Sequence, residues 1–241
     1  MTRCFWQPPI SKQAPKVELK VAVSSDDLRA LEANLDGGLT REIYFLDTAG
    51  LALQQHGLIV RVRSTKGRAG DAVVKLRPVL PKALPRWLRN DNGFAVEIDA
   101  LPDNYACSGT LKRTLGRHEV ERTVASGKPL TRLLSGRQRR LLTAYANVPL
   151  TALMTFGPVR VRKCRITPIA LDHPLMAEEW TFPDGTSIAE LSTRCPSGKA
   201  AAVAAETSSA LRAYGIVPDD EPQVTKTEAT LRYFRPLFAT P

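Results

Sequence analysis

Four cysteines, Cys4, Cys107, Cys164 and Cys195, are scattered along 241 residues, and no two are set at C-x-x-C spacing. That absence argues against a zinc site or a redox pair; free thiols in a cytoplasmic protein are the expectation. The three histidines, His56, His118 and His173, are equally dispersed, and none stands near a serine or cysteine in a nucleophile motif. No run approaches the roughly 18 consecutive apolar residues of a membrane span. No G-x-x-x-x-G-K-[ST] segment occurs, so a P-loop enzyme is not suggested. The first residues lack the apolar stretch of a secretory signal, and residues 1–14, rich in Pro and Gln, read as a flexible N-terminal arm. Aromatics are few, at 6%. A nucleic-acid binder needs cations with aromatics between them on an open face, so nucleic acid is an unexpected partner.

What the chain does have is positive charge, a formal +10, and a particular way of placing it. Five stretches set ionisable residues at every second position with apolar residues between: Lys16–Lys20, Ile59–Arg63, Val73–Arg77, Glu97–Asp99 and Ile188–Ser192. Period two marks a β-strand with two unlike faces. Further strands are expected over residues 40–47, 159–167 and 176–182. Pro183-Asp184-Gly185 forms a hairpin signal before the strand at 186–193. About eight strands result. A short helix is expected from Ser25, with Leu28, Leu31 and Leu35 on one face, and an alanine-rich helix from Lys199 to Tyr214. The stretch from Tyr105 to Asn147, rich in Arg, Leu and Ala, reads as a helical insertion outside the sheet. Residues 223–234 form a last element carrying Lys226.

The fold class expected is α+β: an eight-stranded antiparallel β-barrel with helices packed outside, in a single domain over residues 15–241. The helices need an apolar sheet surface to pack on. The apolar strand faces therefore point outward, and the charged faces line the interior. Burying so many cations without counter-charge is prohibitive, so the interior must hold water, metal and a polyanion, or be open. The cations aimed at phosphate are Lys16, Lys20, Arg61, Arg63, Lys75, Arg77, Lys163, Arg165 and Lys226; the carboxylates among them are Glu18, Glu97, Asp99 and Glu190. Arginine and lysine make charge-assisted contacts with phosphoryl oxygens, and oxygen ligands near phosphate suit Mg²⁺ or Mn²⁺.

In this order the residues resemble the CYTH family, also called triphosphate tunnel metalloenzymes. The family's E-x-E-x-K strand is met by Lys16-Val17-Glu18-Leu19-Lys20, and its Tyr-Phe-Asp-Thr stretch by Tyr44-Phe45-Leu46-Asp47-Thr48. Leu53, Gly57, Arg61 and Arg63 match L-x(n)-G-x-x-x-R-x-R. Lys75 and Arg77, Glu97 and Asp99, Lys163 and Arg165, then Glu190 and Lys226 follow in family order, so the match spans about Lys16 to Phe234. The resemblance implies an eight-stranded tunnel that binds a triphosphate or longer phosphate chain. It also implies Mg²⁺ or Mn²⁺ held by Glu18, Glu97, Asp99 and Glu190, with Glu18, Glu97 and Glu190 as the catalytic set. The expected activity is phosphohydrolysis of inorganic triphosphate, short polyphosphate or an organic triphosphate. Two departures stand out: Lys16 replaces the family's first glutamate, and Ser192 stands where many members carry a second acid. They keep open two alternatives, a noncatalytic polyphosphate- or nucleotide-binding module and an adenylyl cyclase of the CYTH kind.

Overall fold

The computed structural model describes residues 16–100, 105–217 and 224–238; the expected arm at 1–14 lies outside them. Among the described residues nine strands are present: β1 (Lys16–Val23), β2 (Leu39–Asp47), β3 (Leu58–Thr65), β4 (Arg68–Leu76), β5 (Phe94–Ala100), β6 (Tyr105–Arg117), β7 (Met154–Ile166), β8 (Leu175–Thr181) and β9 (Ser187–Pro196). They close into a barrel in the order β1-β5-β6-β4-β3-β2-β7-β8-β9, with β9 returning to β1. Seven α-helices accompany them among the described residues: α1 (Ser25–Ala30), α2 (Ala52–Gln55), α3 (Arg86–Arg89), α4 (Glu119–Ala125), α5 (Gly136–Tyr145), α6 (Ala200–Ala213) and α7 (Lys226–Phe234).

Three expectations need correction. The barrel has nine strands rather than eight, and it is mixed, because β1 pairs with β5 in parallel while every other pair is antiparallel. The extra strand is β6, which occupies the first third of the stretch read as helical. In β6 the inward positions are Ser108, Thr110, Lys112 and Thr114 and the outward ones Cys107, Leu111 and Leu115, so the period is two, but at three of the four inward positions a hydroxyl stands where charges stand elsewhere. Gly109 lies against the Phe94 ring; a Cβ there would overlap the ring, so glycine lets Phe94 cover the strand. The third correction concerns the interior, described below.

Local chemistry fixes the helices. Ser24 and Asp27 form a capping box that starts α1, and Ser135 and Gln138 form another that starts α5. The Gln138 amide then reaches the sheet, donating to the Ala72 and Leu111 carbonyls at 2.8 and 3.0 Å. The Asp47 carboxylate is 2% exposed and accepts the backbone N–H groups of Thr48, Leu53 and Gln54. The Asp-Thr of the motif therefore caps the first turn of α2, a structural task.

Two apolar clusters lie outside the barrel wall. One joins Val17, Val60, Val62, Val74, Ile98 and Leu111 to Leu88 of α3 and to Leu133, Leu141 and Leu142 of the segment that follows β6. The other joins Val21, Ala177 and Leu191 to Leu28, Leu211 and Ile216. The apolar faces do point outward under helices, as helix-on-sheet packing requires.

Candidate functional site: a basic cavity inside the barrel

Part of the interior is greasy. Ile43 and Phe45 of β2 face Val159 and Phe156 of β7, Trp180 of β8 joins them, and Leu231 and Phe234 of α7 complete the cluster. Tyr233 stacks on Phe182 with centroids 4.7 Å apart, and Phe238 packs edge-on against Phe156 at 4.8 Å. The C-terminal helix thus fills a section of the barrel that the charge pattern alone predicts to be polar.

The rest of the interior is ionic. A cavity of about 90 Å³ is lined by Lys20, Arg61, Lys75, Arg77 and Lys226, by the carboxylates Asp99 and Glu190, and by Ile59, Val73, Trp180 and Thr225 among others. At roughly 10–15 Å³ per water it admits a handful of solvent molecules. Five cations against two carboxylates give its wall a positive excess. Arg61, Lys75 and Glu190, from three different strands, meet on this one surface.

The carboxylates nearby are already partnered. Lys20 Nζ lies 2.9 Å from Asp99 and 3.6 Å from Glu18. Lys75 Nζ sits 3.2 Å from both Glu97 and Asp99, and Arg194 reaches Glu18 at 3.2 Å. Lys226 Nζ bridges Glu178 at 2.5 Å and Glu190 at 2.7 Å, and Lys163 takes the other Glu178 oxygen at 2.6 Å. Burial opposes ionisation of Asp99, but Lys20 and Lys75 outweigh it and hold its carboxyl well below the usual range. Burial is likewise overcome at Glu178 by Lys226 and Lys163, and at Glu97 by Lys75. Lys20 is the mirror case: burial works against its charge, but Asp99, Glu190 and Glu18 hold the ammonium above the ordinary lysine range.

Arginines dominate beside this network. Arg63 makes a bidentate pair with Asp71, both bonds 2.7 Å, and Lys112 stands 3.5 Å from the same carboxylate. Arg61 and Arg41 have no such partner: the Nε of each is buried without a hydrogen bond among the described residues. Burial and the neighbouring Arg63 push the Arg61 guanidinium down to about 10, and push Arg41 down for the same two reasons.

Of the nine cations named from sequence, Lys20, Arg61, Lys75, Arg77 and Lys226 line the cavity, and Arg63 and Lys163 are paired to carboxylates. Lys16 and Arg165 are exposed at the ends of their strands. Three residues were not singled out by sequence: Glu178, which binds two lysines, Arg41, and Asp71, which binds Arg63. Glu178 and Arg41 each have a charged neighbour, Glu179 and Glu42, that faces the opposite side of the sheet. Glu179 pairs outward with Arg162, and Glu42 accepts the Tyr44 hydroxyl.

The four carboxylates expected to hold Mg²⁺ or Mn²⁺ do not form a cage. Among the described residues no three Asp, Glu, His or Cys side chains converge as metal ligands. Ammonium groups occupy the space between Glu18, Glu97 and Asp99, and Lys226 covers Glu190. Mg²⁺ needs no all-protein cage, since it is commonly held by one or two carboxylates together with substrate phosphates. The donor set fits that mode: oxygen ligands, Glu18 and Asp99 on paired residues of β1 and β5, and Glu190 in the cavity wall.

No protein-family model matches the chain, and no curated protein matches it in sequence. Solved structures share its fold. A candidate adenylyl cyclase from Hippeastrum, HpAC1, described as having a dominant triphosphatase activity, superposes with a TM-score of 0.62 at 15% identity, over 94% of this chain and 98% of that one. A candidate adenylate cyclase from Bacillus halodurans gives 0.60 at 16% identity, over 92% and 97%. At this identity the likeness is one of fold.

Proposed function

We propose that this chain is a triphosphate-tunnel protein of the CYTH kind. Its cavity takes inorganic triphosphate, a short polyphosphate or the triphosphate tail of an organic molecule, and the activity it supports is phosphoanhydride hydrolysis. The observation that carries this reading is the convergence of Lys20, Arg61, Lys75, Arg77 and Lys226 on one cavity inside a closed barrel. Fixed cations in a water-poor site neutralise phosphate charge and hold the chain for attack, which is most of what phosphoryl transfer asks of a protein. The triphosphatase described for HpAC1, which has the same fold, supports the reaction class.

The lysines have a second task. In the free protein they neutralise Glu18, Glu97, Asp99, Glu178 and Glu190. A phosphate chain competes for the same ammonium groups and so uncovers the carboxylates. Glu18, Asp99 and Glu190 are then the residues to hold Mg²⁺ or Mn²⁺ arriving with the chain. When bound, such a metal supplies charge neutralisation and lowers the pKa of a water.

A second reading, a noncatalytic phosphate-binding module, is favoured by one observation. Lys16 and Ser192 stand where the resembling family carries acids, which halves the acid content of β1 and β9. One experiment separates the two. Phosphate release from tripolyphosphate, ATP, thiamine triphosphate and long-chain polyphosphate is measured with Mg²⁺, with Mn²⁺ and with EDTA, beside calorimetric binding of each. Metal-dependent release supports hydrolysis. Binding that persists in EDTA with no release from pH 6 to 10 selects the module, and absence of both sinks the tunnel reading.

A further inference from the structure

Arg41 was not among the cations that alternation points to, yet the carboxylates near it are already bound by other cations. It stands on β2 opposite Thr65 of β3, beside Arg63 and Arg68, and its field reaches Arg61. The carboxylate committed to this group is Asp71, already gripped at both oxygens by Arg63 and approached by Lys112. Glu178, whose charge also acts on Arg41 and Arg61, is consumed by Lys163 and Lys226. Arg41 and Arg61 each bury an Nε–H with no acceptor among the described residues. Such a donor is costly to leave unmade, and a guanidinium recovers most of the cost from a phosphate oxygen.

The geometry points to a second phosphate subsite formed by Arg41 and Arg61, with Arg63 fixed beside them by Asp71. This rests on the tunnel reading above and refines its substrate: a linear chain long enough to reach from the Lys20–Lys75–Lys226 cavity past Arg61 to Arg41. Arg61 is common to both regions, since it lines that cavity and also lies in the arginine group. Arg61 and Arg63 are two residues apart on one strand, about 6.6 Å, and Arg41 sits across from the far end of that strand. A ligand touching both regions is extended. Pyrophosphate fills the inner region alone, whereas tripolyphosphate and tetraphosphate reach Arg41.

The test is Arg41→Met, with Arg41→Lys as the variant that keeps the charge and loses the planar fork. Calorimetric affinities for pyrophosphate and tripolyphosphate and the melting temperature of the ligand-free protein are measured for each. The expected result is a loss of roughly tenfold or more for tripolyphosphate with Arg41→Met, as removal of a charged hydrogen bond implies. Arg41→Lys falls between it and the parent, pyrophosphate affinity is unchanged, and the ligand-free Arg41→Met protein melts at the same temperature or higher. Equal losses for both ligands, no loss for either, or a destabilised ligand-free protein overturns the subsite. A parent protein that binds pyrophosphate but not tripolyphosphate overturns it as well. If the parent protein binds neither phosphate, the tunnel reading itself has failed.

Discussion

Lys226 Nζ, at the first turn of the C-terminal helix, lies 2.7 Å from Glu190 on the strand that closes the barrel. The contact ties the helix to the ionic wall, while Leu231 and Phe234 tie it to the apolar section. Removing the ammonium leaves Glu190 and part of Glu178 without a counter-charge in a mostly buried place. Lys226→Met is expected to lower stability by up to about 3 kcal/mol and to weaken tripolyphosphate binding at least severalfold. Urea unfolding and calorimetry check the two halves; unchanged values in both would show that the contact is incidental.

The apolar section makes a separate prediction. Phe234 is 4% exposed and packs among aromatic and aliphatic neighbours. Phe234→Ala is expected to cost about 3–5 kcal/mol. Phe234→Leu, which keeps most of the volume, should cost much less. Chemical denaturation of the two variants reads the difference.

Acid should loosen the ionic wall first. Lys20 and Lys75 hold Asp99 below its ordinary range, so protonation is easier in the unfolded chain than in the folded one. The stability this contributes is complete above the unfolded pKa of about 4 and is lost as pH falls through the lower folded value. Thermal midpoints should therefore drop steeply below about pH 4. In Asp99→Asn the midpoint starts lower and this part of the drop is flattened. An identical slope in parent and variant would show that Asp99 is not coupled to folding.

The two acids of the resembling pattern that this chain lacks can be supplied. Lys16→Glu together with Ser192→Glu restores the carboxylates of the resembling pattern on β1 and β9. The double variant is expected to release phosphate from tripolyphosphate faster in Mg²⁺ or Mn²⁺ than the parent does. A rate no higher than the parent's would show that metal-dependent turnover is not limited by the missing acids.

The barrel was legible in the sequence where charge and grease alternate cleanly: the five alternating stretches fall in or end beside β1, β3, β4, β5 and β9. The Asp-Gly turn between β8 and β9 was legible too, with Gly185 at a φ of +88°. β6 was missed because three of its four inward side chains are hydroxyls and only Lys112 is an ion, and its arginines resemble those of the helices that follow. Arg41 and Glu178, inward residues beside the cavity, were missed for a different reason. Each sits next to a second charged residue, so a strand with one charge inward and one outward loses its visible period. The role of α7 was hidden because helical spacing reports an apolar face but not which surface receives it. Here that surface is the inside of the barrel.

The seam between β1 and β9 has a consequence for how the chain reaches its native form. Glu18 and Arg194 are bonded across it although 176 residues separate them. The other neighbour of β1 is β5, a parallel partner that no tight turn can deliver. β1 therefore has no partner close to it along the chain, and the ring closes only once the chain through β9 is available. Contacts of such long range slow folding, and shortened products ending before Ser187 leave an open sheet edge that invites aggregation.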